Sequence, residues 1–169
     1  ERPRPVLSSA PVGGGEAIAV RVVNLCVHGP GCRSACDDPA ATFAGLAAEQ
    51  GWAGPLVGLM TGVAADHLGT FRRGEWSVLA TAGTGNAHRA GEPATASAGA
   101  GTINIVAVTG QALTAAARAE ALALTAEAKA ALLADLDVRV PHSGRLATGT
   151  GTDAAAIVAG HGAETPYTG

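Results

Sequence analysis

The sequence predicts an α/β or α+β fold with a central β-sheet and one long packed helix. Short runs rich in Val and Ile recur between turns that contain Gly or Pro, which is typical of buried strands. The stretch 111–136 consists of strong helix formers and contains neither Gly nor Pro. Aromatic residues make up only 3% of the chain, whereas 24 residues are Gly. The core must therefore pack small side chains at short backbone distances.

The size and charge of the chain limit its functional class. A chain of 169 residues is long enough for one hydrophobic core, so we expect a single domain over residues 1–169. The formal charge is −3 and no basic cluster occurs, so nucleic acid and anionic lipid are not expected partners. No apolar run reaches the roughly 20 residues that span a bilayer, and the first residues do not resemble a signal peptide. We therefore expect a cytoplasmic protein.

The first predicted elements are a strand, a loop and a helix. Residues 17–27 are rich in Val and Ile without a helical period, which predicts a strand. The loop over 28–39 contains Gly-Pro-Gly and Asp-Asp-Pro, which are typical of turns. A short helix over 40–50 places Phe43 on its apolar face and ends at Gly51.

Three further apolar runs predict strands in the second half of the sheet. They cover 55–63, 77–82 and 102–109. The intervening stretch 83–101 is rich in Gly, Ala, Ser and Thr and predicts a long functional loop. Near the end of the chain, 146–158 predicts a Gly- and Thr-rich turn that leads into a strand or helix.

The long helix over 111–136 is predicted to pack by one apolar face. Thr114 can cap its first turn with its hydroxyl. Glu127 is predicted to border the packed face, either as a solvated side chain or as a general acid or base. Arg118 and Lys129 point roughly the other way, with Leu122 between them, so we expect the helix to be covered on more than one side. The helical period places Thr125 on the side of Lys129. The predicted face consists of Leu113, Ala117, Ala121, Leu124, Ala128, Ala131 and Leu132.

Three thiols lie close together in the sequence. Cys26, Cys32 and Cys36 are near His28, which admits a metal site or a disulfide. Their spacings are wider than the C-x-x-C knuckle of a structural zinc site, and an odd count leaves one thiol over. We therefore favour a strand-buried Cys26 followed by two loop thiols, and we expect no metal site.

Four segments rich in Gly and polar residues are candidate parts of a site. Residues 8–15 either expose backbone N–H donors to an oxygen or form a turn between strands. Residues 81–91 contain a GxG sequence without dinucleotide-binding spacing, and 148–153 lack the lysine of a P-loop, so nucleotide chemistry is disfavoured. In 101–104, Asn104 is either an ordinary strand-edge side chain or an inward one that needs partners or a ligand.

Together, these motifs resemble the adenosylcobinamide amidohydrolase family in their order and separations. The resemblance covers nearly the whole chain and is most specific in Gly101-Thr102-Ile103-Asn104, Glu127-Ala128-Lys129 and Ala147-Thr148-Gly149-Thr150-Gly151-Thr152-Asp153. Supporting motifs are Leu7-Ser8-Ser9-Ala10 with Gly13-Gly14, Val23-Asn24, Gly58-Leu59-Met60-Thr61, Thr81-Ala82-Gly83, Asn86-Ala87 and Arg89-Ala90-Gly91.

The resemblance implies a role in corrinoid salvage. The implied reaction is hydrolysis of the amide between the corrin side chain and aminopropanol in adenosylcobinamide, which gives adenosylcobyric acid. The corrinoid is then a substrate, and no cofactor is expected. Relative to the family, we expect a chain shortened at its C-terminus, because members continue beyond the point that matches Tyr167. The thiol-containing stretch 26–38 is not a family feature.

Amide hydrolysis requires a nucleophile, a stabilised oxyanion and a proton for the leaving amine. We expect Asp153 or Glu127 to move protons, and Lys129 to balance Asp153 or grip a substrate carbonyl. Asn86, Asn104 or glycine-loop amides are expected to stabilise the oxyanion. The predicted substrate-binding residues are Thr81, Asn86, His88, Arg89, Asn104, Thr148 and Thr150.

Several alternatives stay open on the sequence alone. The nucleophile is either water or one of the hydroxyls of Ser8, Ser9, Thr81 and Thr150. The chain can also act on a different amide, bind a corrinoid or other small ligand without catalysis, or bind a metal through its Cys and His residues. A homo-oligomer is compatible with the bulk of a corrin, which a cleft between subunits can accommodate.

Overall fold

The structure is a computed structural model that describes residues 2–27, 32–93 and 101–165, without the side chains of 32–34. It has the mixed α/β architecture that the sequence predicts. The helices are α1 (Cys32–Asp37), α2 (Pro39–Glu49) and α3 (Ala115–Asp135), with a 3₁₀ turn at Ala65–His67. The strands are β1 (Arg4–Ser8), β2 (Gly15–Ala19), β3 (Arg21–Cys26), β4 (Leu56–Thr61), β5 (Gly69–Arg73), β6 (Trp76–Ala82), β7 (Ala87–His88), β8 (Ile103–Thr109), β9 (Gly149–Thr150) and β10 (Ala154–Val158).

The largest sheet has the strand order β2-β1-β10-β8-β6-β5. Its central pair, β8 and β10, is parallel, and Asn104 lies opposite Ala154. The other neighbouring pairs in this sheet are antiparallel. Because parallel neighbours need a long connection, α3 forms the crossover from β8 to β10. This connection places the amino ends of β8 and β10 next to the C-terminal half of α3.

The two faces of this sheet are covered by different layers. Ala107 and Ile157 pack against α3 on one face. Val106 and Val158 point to the opposite face and pack with Val57 of the parallel β3-β4 pair. Helix α2 then covers the far side of β4. Successive residues of a strand therefore contribute to different layers, as the pleat requires.

Helix α3 begins where the sequence predicts a cap but buries a different face. Thr114 Oγ1 accepts a hydrogen bond from the Ala117 amide at 3.1 Å, which fixes the first turn at Ala115 rather than at residue 111. The predicted face is confirmed at its N-terminal end, where Ala117 is buried. Further along it is wrong, because Leu124 and Leu132 are 38% and 58% exposed.

The buried face of α3 continues instead through polar positions. Lys129 and Arg118 are only 18% and 12% exposed, so these two residues, which the sequence places off the predicted apolar face, lie on a packed side of the helix. Thr125 is also half-buried, whereas Glu127 is exposed. The apolar pattern indicated the wrong face because Thr125 and Lys129 occupy sheet-facing positions where Leu or Ala is expected.

The C-terminal end of α3 is closed by a left-handed residue. Asp137 has φ 51°, and its amide donates to the Ala134 carbonyl at 3.0 Å. The Val138 amide donates to the Leu133 carbonyl at 2.9 Å. This is the Schellman arrangement, in which the left-handed position is usually Gly.

Two predicted elements differ in the first part of the chain. The predicted strand 17–27 is two strands, β2 and β3, which belong to different sheets. The predicted loop 28–39 is helical from Cys32 to Asp37, so its assignment as loop is wrong there, while 28–31 lie outside the described residues. The Asp-Pro sequence is a helix start, because Asp38 accepts from the Ala41 amide and Pro39 occupies the first helical turn.

The cysteine prediction changes with that segment. Cys26 is half-buried in β3, whereas Cys32 and Cys36 belong to α1 and are not loop residues. His28 lies outside the described residues. Within the described ranges, no three His, Cys, Asp or Glu side chains are grouped as metal ligands. The same ranges contain no helix that is both long and apolar enough to cross a bilayer.

Candidate active site

The carboxylate of Asp153 lies immediately before β10 and accepts hydrogen bonds from three parts of the chain. Its Oδ1 accepts from the Ile103 amide at 2.8 Å and from the Thr150 hydroxyl. Its Oδ2 accepts from the Thr150 amide at 2.9 Å and from Lys129 Nζ at 2.5 Å. These donors match the roughly four lone-pair positions of a carboxylate. Asp153 is 12% exposed and is therefore held in one position by β8, α3 and its own loop.

The close approach of Lys129 to Asp153 depends on Gly149. A Cβ atom at residue 149 would lie 2.4 Å from Asp153 Oδ2 and 2.8 Å from Lys129 Nζ. Both distances are shorter than non-bonded contacts allow. Glycine therefore leaves the space in which the ion pair forms. The sequence indicated small residues beside a carboxylate in this segment, but it did not indicate which of them makes the space.

The short β7-β9 sheet joins two of the predicted segments. His88 lies opposite Gly149, and the Thr148 amide donates to the His88 carbonyl at 2.9 Å. Thr148 Oγ1 accepts from the Ala90 amide at 2.8 Å. These bonds bring the 81–91 segment alongside the loop that carries Asp153.

A large cavity of about 510 Å³ opens between this short sheet and α3. Six of the predicted site residues line it. Its walls also include backbone of small residues, which leaves space for a bulky ligand. The predicted residues in this cavity are His88, Glu127, Lys129, Thr148, Thr150 and Asp153.

A small cavity of about 220 Å³ lies on the other side of the same ion pair. Lys129 and Asp153 line both cavities and form part of the wall between them. The small cavity is mainly apolar, and two hydroxyls, those of Ser9 and Thr125, interrupt its surface. Its apolar lining consists of Ile103, Ile105, Leu122, Ala126, Ala154 and Ala155.

Lys129 has donors available to a ligand between these cavities. A lysine ammonium carries three N–H donors. Among the described residues, the hydrogen-bond partner of Lys129 Nζ is Asp153. The remaining donors can therefore bind an oxygen atom of a molecule placed at the boundary of the two cavities.

Two other predicted residues, Asn104 and Thr81, are buried on the opposite side of the large sheet. Asn104 is 1% exposed, and its Nδ2 donates to Asn24 Oδ1 and to the Met60 carbonyl, both at 2.8 Å. Asn104 Oδ1 accepts from the Ala154 amide at 3.1 Å. Thr81 Oγ1 accepts from Asn24 Nδ2 at 3.0 Å. These residues join β8 and β6 to the β3-β4 pair and lie away from the Lys129–Asp153 pair.

Arg89 and Asn86 flank the short sheet. Arg89 donates to the Leu146 carbonyl at 2.9 Å, which ties the 81–91 segment to the chain before Thr148. Asn86 Oδ1 is buried and has no hydrogen-bond partner among the described residues. It packs against Gly101, where a Cβ atom would lie 2.3 Å from it.

Several features of the site were not identified from the sequence. They include the backbone amides of Ile103 and Thr150, which bind Asp153. The amides carry no sequence signal, because every residue except Pro has one. The helical period placed Thr125 on the side of Lys129, and both residues line the small cavity, although Thr125 was not among the predicted substrate-binding residues.

Comparison with known families agrees with the motif pattern. The family model described as CbiZ, adenosylcobinamide amidohydrolase, matches residues 1–169, which is the whole sequence. Searches of curated proteins and of solved structures give no significant match. The resemblance to this family is therefore confirmed. The chain belongs to the adenosylcobinamide amidohydrolase family.

Proposed function

We propose that this chain hydrolyses the amide that joins the corrin side chain to aminopropanol in adenosylcobinamide. Water adds to the carbonyl carbon, the C–N bond breaks, and the amine nitrogen takes a proton. The products are adenosylcobyric acid and aminopropanol. Family membership supports the reaction. The main support for locating the reaction here is the Lys129–Asp153 pair, which lines both a large and a small cavity.

In this proposal Lys129 stabilises the oxyanion. Negative charge develops on the carbonyl oxygen when water adds, and a preorganised donor stabilises it most. The ammonium of Lys129 is held by Asp153, so it does not need to reorient during the reaction. Asp153 then serves to position Lys129, because the other acceptor positions of the Asp153 carboxylate are already filled.

Proton transfer is assigned to Glu127 in this proposal. Its carboxylate lines the large cavity and has no hydrogen-bond partner among the residues that the structure describes. It is therefore available to accept a proton from the attacking water and to return one to the leaving amine. Asp153 is less suited to this step because four donors already surround it.

The test is incubation of the purified protein with adenosylcobinamide, without added metal or nucleotide, followed by chromatography. We expect adenosylcobyric acid and aminopropanol in equal amounts. Glu127→Gln tests the proton-transfer assignment, and Glu120→Gln on the same helix is the matched control because Glu120 is exposed and outside both cavities. Unchanged adenosylcobinamide with folded wild-type protein would contradict the proposal and favour a different amide or a binding role.

A further inference from the structure

The small cavity beside Lys129 has the size and polarity of a site for a short amino alcohol. Its volume is about 220 Å³, less than half that of the large cavity. A three-carbon amine fits this space, whereas a corrin macrocycle does not. The large cavity, of about 510 Å³, faces the other side of the same ammonium.

The two hydroxyls of the small cavity have unused hydrogen-bonding capacity. Ser9 Oγ accepts from the Ala155 amide at 3.0 Å, and its own proton has no acceptor among the described residues. Thr125 Oγ1 donates to the Ala121 carbonyl at 2.8 Å, so its lone pairs are available. One donor and one acceptor together match a ligand hydroxyl, which both accepts and donates.

The apolar side chains of the small cavity complement the rest of such a ligand. Ile103, Ile105 and Leu122 form a surface that favours a methyl group over a charged or polar substituent. Lys129 also lines this cavity, so the nitrogen of such a ligand can lie next to the ammonium that the large cavity shares.

We infer that the small cavity is the subsite for the leaving amine and that Thr125 determines selectivity for an amine that carries a hydroxyl. This inference rests on the proposed amide hydrolysis for its catalytic meaning. The corrin half of the substrate lies on the side of the large cavity, which is open to solvent, and the scissile carbonyl lies at Lys129. Leu122 sets the length of amine that the subsite accepts.

The first test compares substrates that differ only in the amine. Adenosylcobinamide is assayed beside analogues in which aminopropanol is replaced by ethanolamine or by propylamine. We expect kcat/KM to fall roughly tenfold without the methyl group and by a larger factor without the hydroxyl. Thr125→Val keeps the side-chain shape and should remove most of the preference for the hydroxyl. An unchanged preference ratio in Thr125→Val would overturn the assignment of Thr125.

A second variant tests the cavity itself with a matched control. Leu122→Phe fills the small cavity and should lower kcat/KM for adenosylcobinamide at least tenfold. Leu132→Phe makes the same substitution on the same helix at an exposed position and should leave the activity unchanged. Equal activity of the two variants would place the amine elsewhere.

A binding measurement separates this inference from the proposed reaction. Free aminopropanol should shift the methyl NMR signals of Ile103, Ile105 and Leu122, and propylamine should do so more weakly. If the wild-type protein hydrolyses no corrinoid amide but these signals shift, the reaction is wrong and the amine subsite stands. If the wild-type protein is active but aminopropanol leaves these signals unchanged, the subsite is wrong and the reaction stands.

Discussion

At the residue scale, the contact between Lys129 and Asp153 makes two substitutions informative. Lys129→Met keeps the aliphatic stem and removes the donor, so we expect kcat to fall roughly 100- to 1000-fold, the usual effect of losing one oxyanion donor. Asp153→Asn replaces one carboxylate oxygen with an NH₂ group, which faces other donors and cannot accept from them. The variant should therefore hold Lys129 less well and should also lower kcat. Corrinoid binding, measured by calorimetry, should persist in both variants because the lining of the large cavity is intact.

The control for the Asp153 variant is Asp135→Asn, which makes the same change at an exposed position near the end of α3. It should retain wild-type turnover. Full activity of Asp153→Asn would remove Asp153 from the mechanism, and loss of corrinoid binding in that variant would indicate a structural effect. Circular dichroism of each variant distinguishes misfolding from loss of chemistry.

A second residue-scale prediction concerns Gly149. Gly149→Ala places a Cβ within 2.4 Å of Asp153 Oδ2, so the pair must separate. We expect a loss of turnover comparable to that of Lys129→Met and a free energy of unfolding lower by about 1–3 kcal/mol, which is typical of overpacking. Kinetics and urea unfolding measure the two effects.

Gly151 provides the stability control two residues away. A Cβ there has no atom within 4 Å, so Gly151→Ala should change the free energy of unfolding by less than about 0.5 kcal/mol. Similar destabilisation of both variants would show that the loop resists any added side chain. That result would contradict a specific requirement for Gly at position 149 beside the Lys129–Asp153 pair.

At the scale of the element, the end of α3 contains a backbone conformation that is strained for any residue except Gly. Asp137 adopts a left-handed φ of 51°, which Gly adopts without strain. Asp137→Gly should therefore raise Tm by roughly 2 °C. Thermal unfolding followed by circular dichroism measures the change in Tm. A lower Tm would mean that the contact of the Asp137 side chain with Arg139 stabilises the fold by more than the left-handed backbone destabilises it.

The pH dependence of that variant follows from its neighbour. The hydrogen bond from Arg139, with its positive charge, lowers the pKa of the Asp137 carboxyl. A carboxyl with a lowered pKa contributes stability above its ordinary pKa and loses it as the pH falls through the lowered value. The advantage of Asp137→Gly should therefore increase in acid. In a background that carries Arg139→Ala, the effect of Asp137→Gly on Tm should no longer depend on pH.

The elements themselves were predictable to different degrees. The runs at 77–82 and 102–109 were identified because buried strands are rich in apolar residues. Strand β5 was missed because all five of its residues are exposed, so it has no alternating pattern. Strand β1 contains Pro5, which usually argues against a strand. The packed face of α3 was misplaced because two of its sheet-facing positions carry polar residues, Thr125 and Lys129.

At the scale of the whole molecule, Asn104 ties the two β-layers together. Its amide binds groups on β3, β4 and β10. Asn104→Leu would leave several of these groups without partners, at about 1–3 kcal/mol for each one that stays buried. We expect the free energy of unfolding to fall by roughly 3 kcal/mol in urea titrations.

Thr81→Val provides a graded comparison for that prediction. It removes only the acceptor for Asn24 and should cost about 1 kcal/mol. Equal losses in the two variants would show that the layers do not depend on Asn104 in particular. Loss of turnover in Asn104→Leu without loss of stability would support direct substrate binding by Asn104 instead.

The division of the predicted site between two layers also has a simple cause. Ile103 lines the small cavity beside α3, whereas Asn104, the next residue, points to the β3-β4 layer. Adjacent strand residues always point to opposite faces, so a motif read along the chain mixes residues from both. The motif located the amino end of β8 correctly. Which side chains of the motif share a cavity depends on the layer that each face packs against, and the motif alone does not specify it.

The position of Lys129 between the two cavities has a practical consequence, because it is the only lysine in the sequence. Incorporation of ¹⁵N-lysine would give one side-chain ammonium resonance, with no assignment required. Reductive ¹³C-methylation would mark the same nitrogen and, besides it, only the α-amino group. Because both cavities share this wall, one resonance would report the arrival of either half of a substrate. The order in which the corrin and the amine bind and depart would then be open to direct observation.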